Sequence, residues 1–589
     1  VPADTIPARL FETARAHPAA TAYRVKRDGA WHATTWTEYA GEIRTAARAL
    51  ISLGLEPGAT VCILGFNRPE WVVFDLAAMT VGAAPAGIYT TSSPAEVQYI
   101  VDHAESAIVL LEDAAQWEKV KKVRDQLPKL RHVVMMRGSA IDDPMVLGWD
   151  AFLARASQTP DEEVERRITA LRLEDPATLI YTSGTTGPPK AVMLSHDNLA
   201  WTARVAIDMT GFSNTDHSLS YLPLSHIAEQ MFSIHAPVSV GSSIAFAESL
   251  DKVPDNLREV QPTIVFAVPR IWEKFHAGVS AKLAQATGVR ARLVAWATAV
   301  GLRFNTARQL GQAPGGWLTF QHTLADRLIY SKVKPLLGLG QARICVSGAA
   351  PVGKDVLTFL AGIDVVVHEV YGQSEGSGPT TFNLPGKTKL GSVGMAVPDV
   401  RVELGPDGEV RVKGRNVFLG YYKDPAATAE ALQDGWLLSG DLGAFDDEGY
   451  LSIVGRKKEI LITAGGKNIA PKNIEAALKQ HPLVSEAVVI GDRRAYLTAL
   501  LQVDPEALKT LSAQVGVAAD AAHPTIQAEL QKAVDTCNEL FARVEHIRKW
   551  VVLPRQLGID TGELTPTLKL KRKVIYANFA AEIEAMYAE

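Results

Sequence analysis

Short runs dense in β-branched and other apolar residues recur at positions 61–65, 108–111, 133–136, 263–268, 344–347 and 365–368, with helix-like stretches between many of them. Strands that are apolar throughout and alternate with helices predict largely parallel sheets covered on both faces. The stretch 71–88 is the longest apolar run, but it contains Asp75 and Pro85 and reads as a buried helix followed by a strand rather than a bilayer span. From about Arg401 the period changes to two, around a Gly-Pro-Asp-Gly turn, and 445–454 repeats the pattern around Asp-Asp-Glu-Gly. Two such hairpins predict a small antiparallel or barrel-like appendage at about 390–455. After Gly455-Arg456-Lys457-Lys458 the α/β texture restarts on a smaller scale, with strands expected at 487–490, 497–503 and 550–553 and a helix at 527–541. The fold class is thus α/β, with a large doubly wound domain at 1–455 and a smaller α+β domain at 456–589.

One segment departs from this regular texture. Residues 181–196 read Tyr-Thr-Ser-Gly-Thr-Thr-Gly-Pro-Pro-Lys-Ala-Val-Met-Leu-Ser-His. Glycines at 184 and 187 free the backbone, the hydroxyls of Ser183, Thr185 and Thr186 suit phosphate oxygens, and Lys190 brings a positive charge. A P-loop needs its lysine directly after glycine and before Ser or Thr, at the opening of a helix. Here Pro188 and Pro189 intervene and Ala191 follows Lys190, so the segment reads as a turn between two strands, 179–182 and 191–194.

At 589 residues the chain exceeds one core, and its formal net charge of −5 gives no general attraction to nucleic acid. Cys62, Cys345 and Cys537 lie far apart, as buried reduced thiols in a cytoplasmic protein would. The first residues show neither the basic nor the apolar region of a signal peptide. Between Lys274 and Ala325 there is no Asp or Glu, while Lys274, Lys282, Arg290, Arg292, Arg303 and Arg308 punctuate apolar positions such as Leu293, Trp296, Val300 and Phe304. Either two helices pack on the core with a solvated basic face, or an amphipathic surface makes peripheral contact with anionic lipid.

The 181–196 loop is followed, in order, by Tyr371-Gly-Gln-Ser-Glu375, Ser439-Gly-Asp441, Gly455-Arg-Lys-Lys-Glu-Ile-Leu-Ile-Thr-Ala-Gly-Gly-Lys-Asn468 and Leu564-Thr-Pro-Thr-Leu-Lys-Leu-Lys-Arg572. This series resembles the superfamily of adenylate-forming enzymes over nearly the whole chain. Leu222-Pro-Leu-Ser-His-Ile-Ala-Glu-Gln230 and Val268-Pro-Arg-Ile-Trp-Glu-Lys274 look like its long-chain fatty acyl-CoA synthetase branch. The resemblance implies ATP, Mg²⁺ and coenzyme A as cofactors or co-substrates. It implies attack of a fatty carboxylate on the α-phosphate of ATP, then opening of the acyl-adenylate by the thiol of coenzyme A.

The same resemblance assigns roles. Thr182, Ser183, Gly184, Thr185, Thr186, Gly187 and Lys190 would hold the phosphates, with Glu375 and Thr185 at Mg²⁺. Tyr371 would offer the adenine an aromatic face, with Gly348, Ala349 and Ala350 as the opposite wall, and Gly372 and Ser374, which stands for a usual threonine and keeps its hydroxyl, would also bind the nucleotide. Asp441 and Arg456 would meet the ribose, His226 would flank the substrate carboxylate, and Lys569 would be the catalytic lysine. Lys458 would be the hinge and Gly465, Gly466 and Lys467 would line the pantetheine tunnel. Gln230 stands where some relatives carry an aromatic gate, so no gating role carries over. In isolation Asp441 reads as a turn residue, Arg456 as a surface charge, and Lys569 with Lys571, Arg572 and Lys573 as a solvated basic run. Open alternatives are transfer to an acyl carrier protein, an aryl or branched acid as substrate, or a nucleotide-binding scaffold without turnover.

Overall fold

The computed structural model describes residues 3–182, 188–464, 467–565 and 568–588. Its largest sheet has eight strands, in the order Gly420–Tyr421, Lys190–Ser195, Pro176–Thr182, Ala84–Ile88, Thr60–Leu64, Ile108–Leu111, His132–Met135 and Val146–Gly148. The strands from Pro176–Thr182 onward run parallel, and the first two join antiparallel. Alternate residues enter two different cores. Val61, Ile63, Ile108 and Leu110 face one, while Cys62, Leu64, Val109 and Leu111 face the other. Burial on both faces is why these strands are apolar at every position rather than at every second one. The helix Pro69–Thr80, buried from Trp71 to Thr80, and the strand Ala84–Ile88 account for the apolar run that was too interrupted to span a bilayer. Among the described residues no helix is long and apolar enough to cross a membrane.

A second sheet joins Ile264–Ala267, Ile344–Ser347 and Val367–Gln373 in parallel, then Gly378–Phe382 and Met395–Ala396 antiparallel. A third begins with the hairpin Thr21–Arg27 and Ala30–Thr35. The period-two segment forms an open antiparallel sheet of Arg401–Leu404, Glu409–Lys413, Trp436–Phe445, Leu432–Gln433 and Leu451–Arg456, rather than a closed barrel. Beyond the short turn Lys457–Glu459, a separate core gathers around Val484–Ile490, Leu497–Val503 and Ile547–Val552, covered by the helices Pro471–Leu478 and Pro524–Glu539. All three cysteines are free and buried, and burial pushes the thiols of Cys62 and Cys345 up to about 12.

Candidate active site

The Lys190–Ser195 strand pairs with Pro176–Thr182 so that Thr182 opposes Lys190, with the Thr182 hydroxyl donating to the Lys190 carbonyl at 3.3 Å. This confirms the turn-between-strands reading at both flanks. Ser183, Gly184, Thr185, Thr186 and Gly187 lie outside the described residues, as do Gly465 and Gly466.

On its other edge the same strand pairs with Gly420–Tyr421. Tyr421 thereby reaches two of the expected groups at once. Its ring lies beneath the Lys190 ammonium, 4.9 Å from the centroid, and its hydroxyl donates to Glu375 Oε1 at 2.8 Å. Burial first, then the Glu375 carboxylate, holds the phenol well above its usual pKa, so it stays a donor. Nothing in the sequence separated Tyr421 from Tyr422; the signal is a strand pairing that brings together residues far apart in the chain.

Glu375 follows the strand Val367–Gln373, which turns back on Gly378–Phe382 at a bulge beside Gly372. A Cβ on Gly372 would lie 1.7 Å from the Gly378 carbonyl oxygen, so glycine is a steric requirement there. Ser374 is buried at the start of the ensuing turn. Gly348 follows the neighbouring strand and lies against Val370 and Phe266, where a Cβ would come within 2.8 Å of the Val370 side chain. Ala349 and Ala350 are exposed, and Ala349 takes φ of 71°.

Tyr371 donates its hydroxyl to Asp441 Oδ2 at 2.8 Å, and Arg456 Nε lies 2.9 Å from Asp441 Oδ1. Asp441 and Arg456 are direct partners across the antiparallel strands Trp436–Phe445 and Leu451–Arg456. Asp441 is buried, and each of its oxygens retains a lone pair after these contacts, which is what a pair of ribose hydroxyls requires. Glu409 braces the turn, accepting from the Gly440 amide at 2.8 Å and from Lys457 at 3.0 Å.

His226 caps the helix Ile227–Gln230 by accepting the Ala228 amide on Nδ1 at 3.2 Å. That fixes the proton of the neutral ring on Nε2. Burial, then the Lys569 charge, lowers its pKa to about 4, so the ring is neutral near pH 7 and presents one donor. Gln230 is buried and donates to the Leu224 carbonyl at 2.9 Å, tying down the Leu222-Pro-Leu-Ser-His turn.

Lys569 comes from the C-terminal domain, on a tight turn where the Thr565 amide donates to its carbonyl and its own amide donates to the Thr565 hydroxyl. Its ammonium has a depressed pKa, first by loss of water and then by Arg456 and Lys472, opposed by Glu375 and Glu459. The neighbouring basic residues are not one solvated run. Arg572 pairs with buried Glu475 at 2.7 Å. Lys458, in the turn Lys457–Glu459, and Lys467, beyond the strand Leu461–Ile462, are exposed, and no ion pair joins either to the carboxylates of the cleft among the described residues.

Lys190 at Glu375 through Tyr421, and Arg456 at Asp441, thus set a cation beside each carboxylate, with Lys472 paired to Glu459 at 2.8 Å nearby in the chain. Crowded cations of this kind favour a polyanion. Among the described residues no cluster of three or more His, Cys, Asp or Glu could hold a metal alone. A half-exposed Glu375 with one oxygen engaged by Tyr421 suits Mg²⁺ that takes its other ligands from nucleotide phosphates.

Cations set beside a buried Asp441 and a half-exposed Glu375 define a site suited to a polyanion such as a nucleotide. The sequence matches the AMP-binding enzyme family over residues 10–422 and the AMP-binding enzyme C-terminal domain over 458–589, and the chain belongs to this family. It is 39% identical to the long-chain-fatty-acid–CoA ligase FadD15 of Mycobacterium bovis, covering 99% of this chain and 97% of that protein. It is 34% identical to the long-chain-fatty-acid–CoA ligase ACSBG2 of Homo sapiens, covering 99% and 92%. In fold it is similar to the anthranilate CoA ligase AuaEII in complex with anthranoyl-AMP, with a TM-score of 0.72 at 21% identity over 98% of each chain. The ATP-bound MatB of Rhodopseudomonas palustris gives 0.69 at 24% identity over 98% of this chain and 99% of that one.

Proposed function

We propose that the protein ligates a long-chain fatty acid to coenzyme A through an acyl-adenylate, in the cytoplasm, with residues 1–455 as the adenylation domain and 456–589 as a mobile lid. What supports this reading is the cleft itself, in which Tyr421 ties Glu375 to Lys190 while Tyr371 and Arg456 hold Asp441. A carboxylate oxygen attacks the α-phosphorus of ATP, the bond to the β-phosphate breaks, and pyrophosphate leaves. Negative charge gathers on the α-phosphate and carboxylate oxygens, where Lys569 neutralises it and the Nε2–H of His226 donates to the carboxylate. Asp441, oriented by Tyr371 and Arg456, accepts from the ribose hydroxyls and fixes the line of attack. Mg²⁺ held by Glu375 would neutralise phosphate charge. Thr182, Lys190 and the 183–187 loop cradle the phosphates, and Gly348 to Ala350 and Tyr371 enclose the adenine.

In the second step the thiol of coenzyme A attacks the acyl carbonyl, AMP departs and the thiol proton is released. We assign Lys458 as the pivot that withdraws Lys569 and brings Gly465, Gly466 and Lys467 to the pantetheine path. The acid-free segment 274–325 supports peripheral contact with the inner face of the membrane. Pyrophosphate release should require palmitate, and thioester should form with coenzyme A but not with an acyl carrier protein; the reverse acceptor preference overturns the ligase assignment. Lys569→Ala should abolish acyl-AMP formation yet spare thioester formation from supplied acyl-AMP, and equal loss of both removes the role given to Lys569.

A further inference from the structure

The loop that carries His226 is closed at its neck by a carboxyl to which the reaction gives no role. It runs from the end of the strand His217–Ser220 to the helix Ile227–Gln230, and Glu229 of that helix reaches back to the strand. Glu229 Oε1 accepts from the hydroxyls of Ser220 and Ser233, each at 2.7 Å, and from the Tyr221 amide at 3.2 Å. Asn67, just ahead of the helix Pro69–Thr80, joins from a third element. Its side-chain amide lies 2.7 Å from the Leu222 carbonyl and 2.8 Å from the Ser220 hydroxyl, with Glu229 Oε1 at 3.3 Å. Asn67, Ser220, Glu229 and Ser233 are all buried, so water cannot stand in for a lost partner. Burial pushes Glu229 up to about 7, opposed by the hydroxyls of Ser220 and Ser233.

The tip of the loop is seated as closely as its neck. A Cβ on Gly87, in the strand Ala84–Ile88, would come within 2.6 Å of the Ser225 Cα. The His226 amide donates to the Pro223 carbonyl at 2.9 Å, and Gln230 holds the Leu224 carbonyl. Beyond Gln230 the helix widens into a π-type turn, Met231–His235, a geometry that is rare and concentrates at functional sites. Ser233 sits in that turn and returns its hydroxyl to Glu229. The helix Ile227–Gln230 is only four residues long, too short to hold its own direction. That direction matters, because the Ala228 amide in its first turn is the group that sets the His226 ring.

We propose that Glu229 is a positioning residue: with Asn67 it clamps the neck of the 221–230 loop and so fixes the direction in which the Nε2–H of His226 points. A carboxyl buried merely to fill space would be replaced at less cost by an apolar side chain. Here one oxygen gathers donors from the strand, from the helix and from the turn after it, and Asn67 ties them to a separate loop. For its effect on the reaction, the inference rests on the proposed contact between His226 and the substrate carboxylate; the clamp itself does not.

Acyl-adenylate formation by the full-length protein is measured in single turnovers with palmitate and MgATP. Glu229→Ala should slow it by about 10- to 100-fold while KM for MgATP stays within about twofold. Glu229→Gln keeps an acceptor oxygen and should recover about tenfold of that loss. In a His226→Ala background Glu229→Ala should cost less than about twofold. A loss that persists undiminished in that background, or that falls equally on KM for MgATP, overturns the proposal. Should Glu229→Ala fail to fold, Ser233→Ala and Asn67→Ala each remove one arm of the clamp and should slow the step about three- to tenfold, with the same dependence on His226. Nitrogen NMR of histidine-labelled protein reports the ring without turnover. The His226 signal, assigned by its loss in His226→Ala, should move in Glu229→Ala and return in Glu229→Gln, and an unmoved signal overturns the clamp. Full adenylation by His226→Ala, with the ring signal displaced in Glu229→Ala, refutes the role given to His226 and leaves the clamp standing.

Discussion

Replacing Tyr421 by Phe removes a single hydroxyl from the cleft. The ring beneath Lys190 remains, so only the 2.8 Å hydrogen bond to Glu375 is lost. Hydrogen bonds to a charged acceptor contribute about 1.5–3 kcal/mol, and at 1.4 kcal/mol per decade this corresponds to roughly 10- to 100-fold. The loss should fall on kcat/KM for MgATP, because Glu375 is oriented by that bond, while KM for the fatty acid stays within about twofold. Tyr421→Leu adds loss of the cation–π contact with Lys190, a further 0.5–2 kcal/mol or so. Pyrophosphate release at varied MgATP gives the kinetic terms, and calorimetric titration with nucleotide gives affinity independently of turnover. A double-mutant cycle with Glu375→Gln isolates the pair. Coupling of about 1 kcal/mol or more is expected, and additivity within about 0.5 kcal/mol refutes the claim that Tyr421 acts through Glu375.

Three further perturbations test other parts of the structure. Gly372→Ala sets a methyl against the Gly378 carbonyl and should abolish adenylation while lowering the urea midpoint; an active, equally stable variant would show that this strand can shift. Burial pushes Glu369 up from 4.5 to about 7, so the folded state holds its proton longer and stability falls as pH rises through that interval. Glu369→Gln should therefore gain about 1–3 kcal/mol in urea unfolding at pH 8 and almost nothing at pH 4.5, and a pH-independent difference contradicts the cause. Lys458→Pro should slow thioester formation from acyl-AMP more than pyrophosphate release in single turnovers, and equal slowing argues against a pivot at this position.

The parts of the fold legible in the sequence were those whose environment is uniform. Strands such as Thr60–Leu64 and Ile108–Leu111 are buried on both faces, so every residue reports the same surroundings. The hairpin Thr21–Arg27 and Ala30–Thr35 escaped notice because its second strand exposes Ala30, His32 and Ala33, and its alternation is broken at a bulge. The Tyr371-Gly372 segment reads as a turn, yet it continues the strand Val367–Gln373, since glycine serves there to admit a neighbouring carbonyl rather than to bend the chain. Local motifs single out Glu375, Asp441, Arg456 and Lys569 because each lies in its own short signature. Tyr421 and Glu409 have none. Their positions arise from pairing between strands, and a side chain that supports another residue need not resemble anything by itself.

The strand pair that carries Asp441 and Arg456 also bears on how one cleft serves two reactions. Glu409 holds both the Gly440 turn and Lys457, and Lys457 also meets Asp407 at 2.6 Å, so the chain is anchored to the large domain up to the residue before Lys458. On the proposed reading, a rotation at Lys458 would leave the ribose contacts assigned to Asp441 and Arg456 in place and would move only the C-terminal domain, with Lys569 on it. Electrostatics supplies a direction. Arg456 and Lys472 already depress the Lys569 ammonium, and in the proposed reaction the phosphates of ATP would offset that repulsion. Once pyrophosphate left, most of that compensating charge would leave with it, while AMP would stay with the residues assigned to it on the large domain. The crowding of cations proposed to favour ATP entry would then favour withdrawal of Lys569, clearing the acyl carbonyl for the thiol.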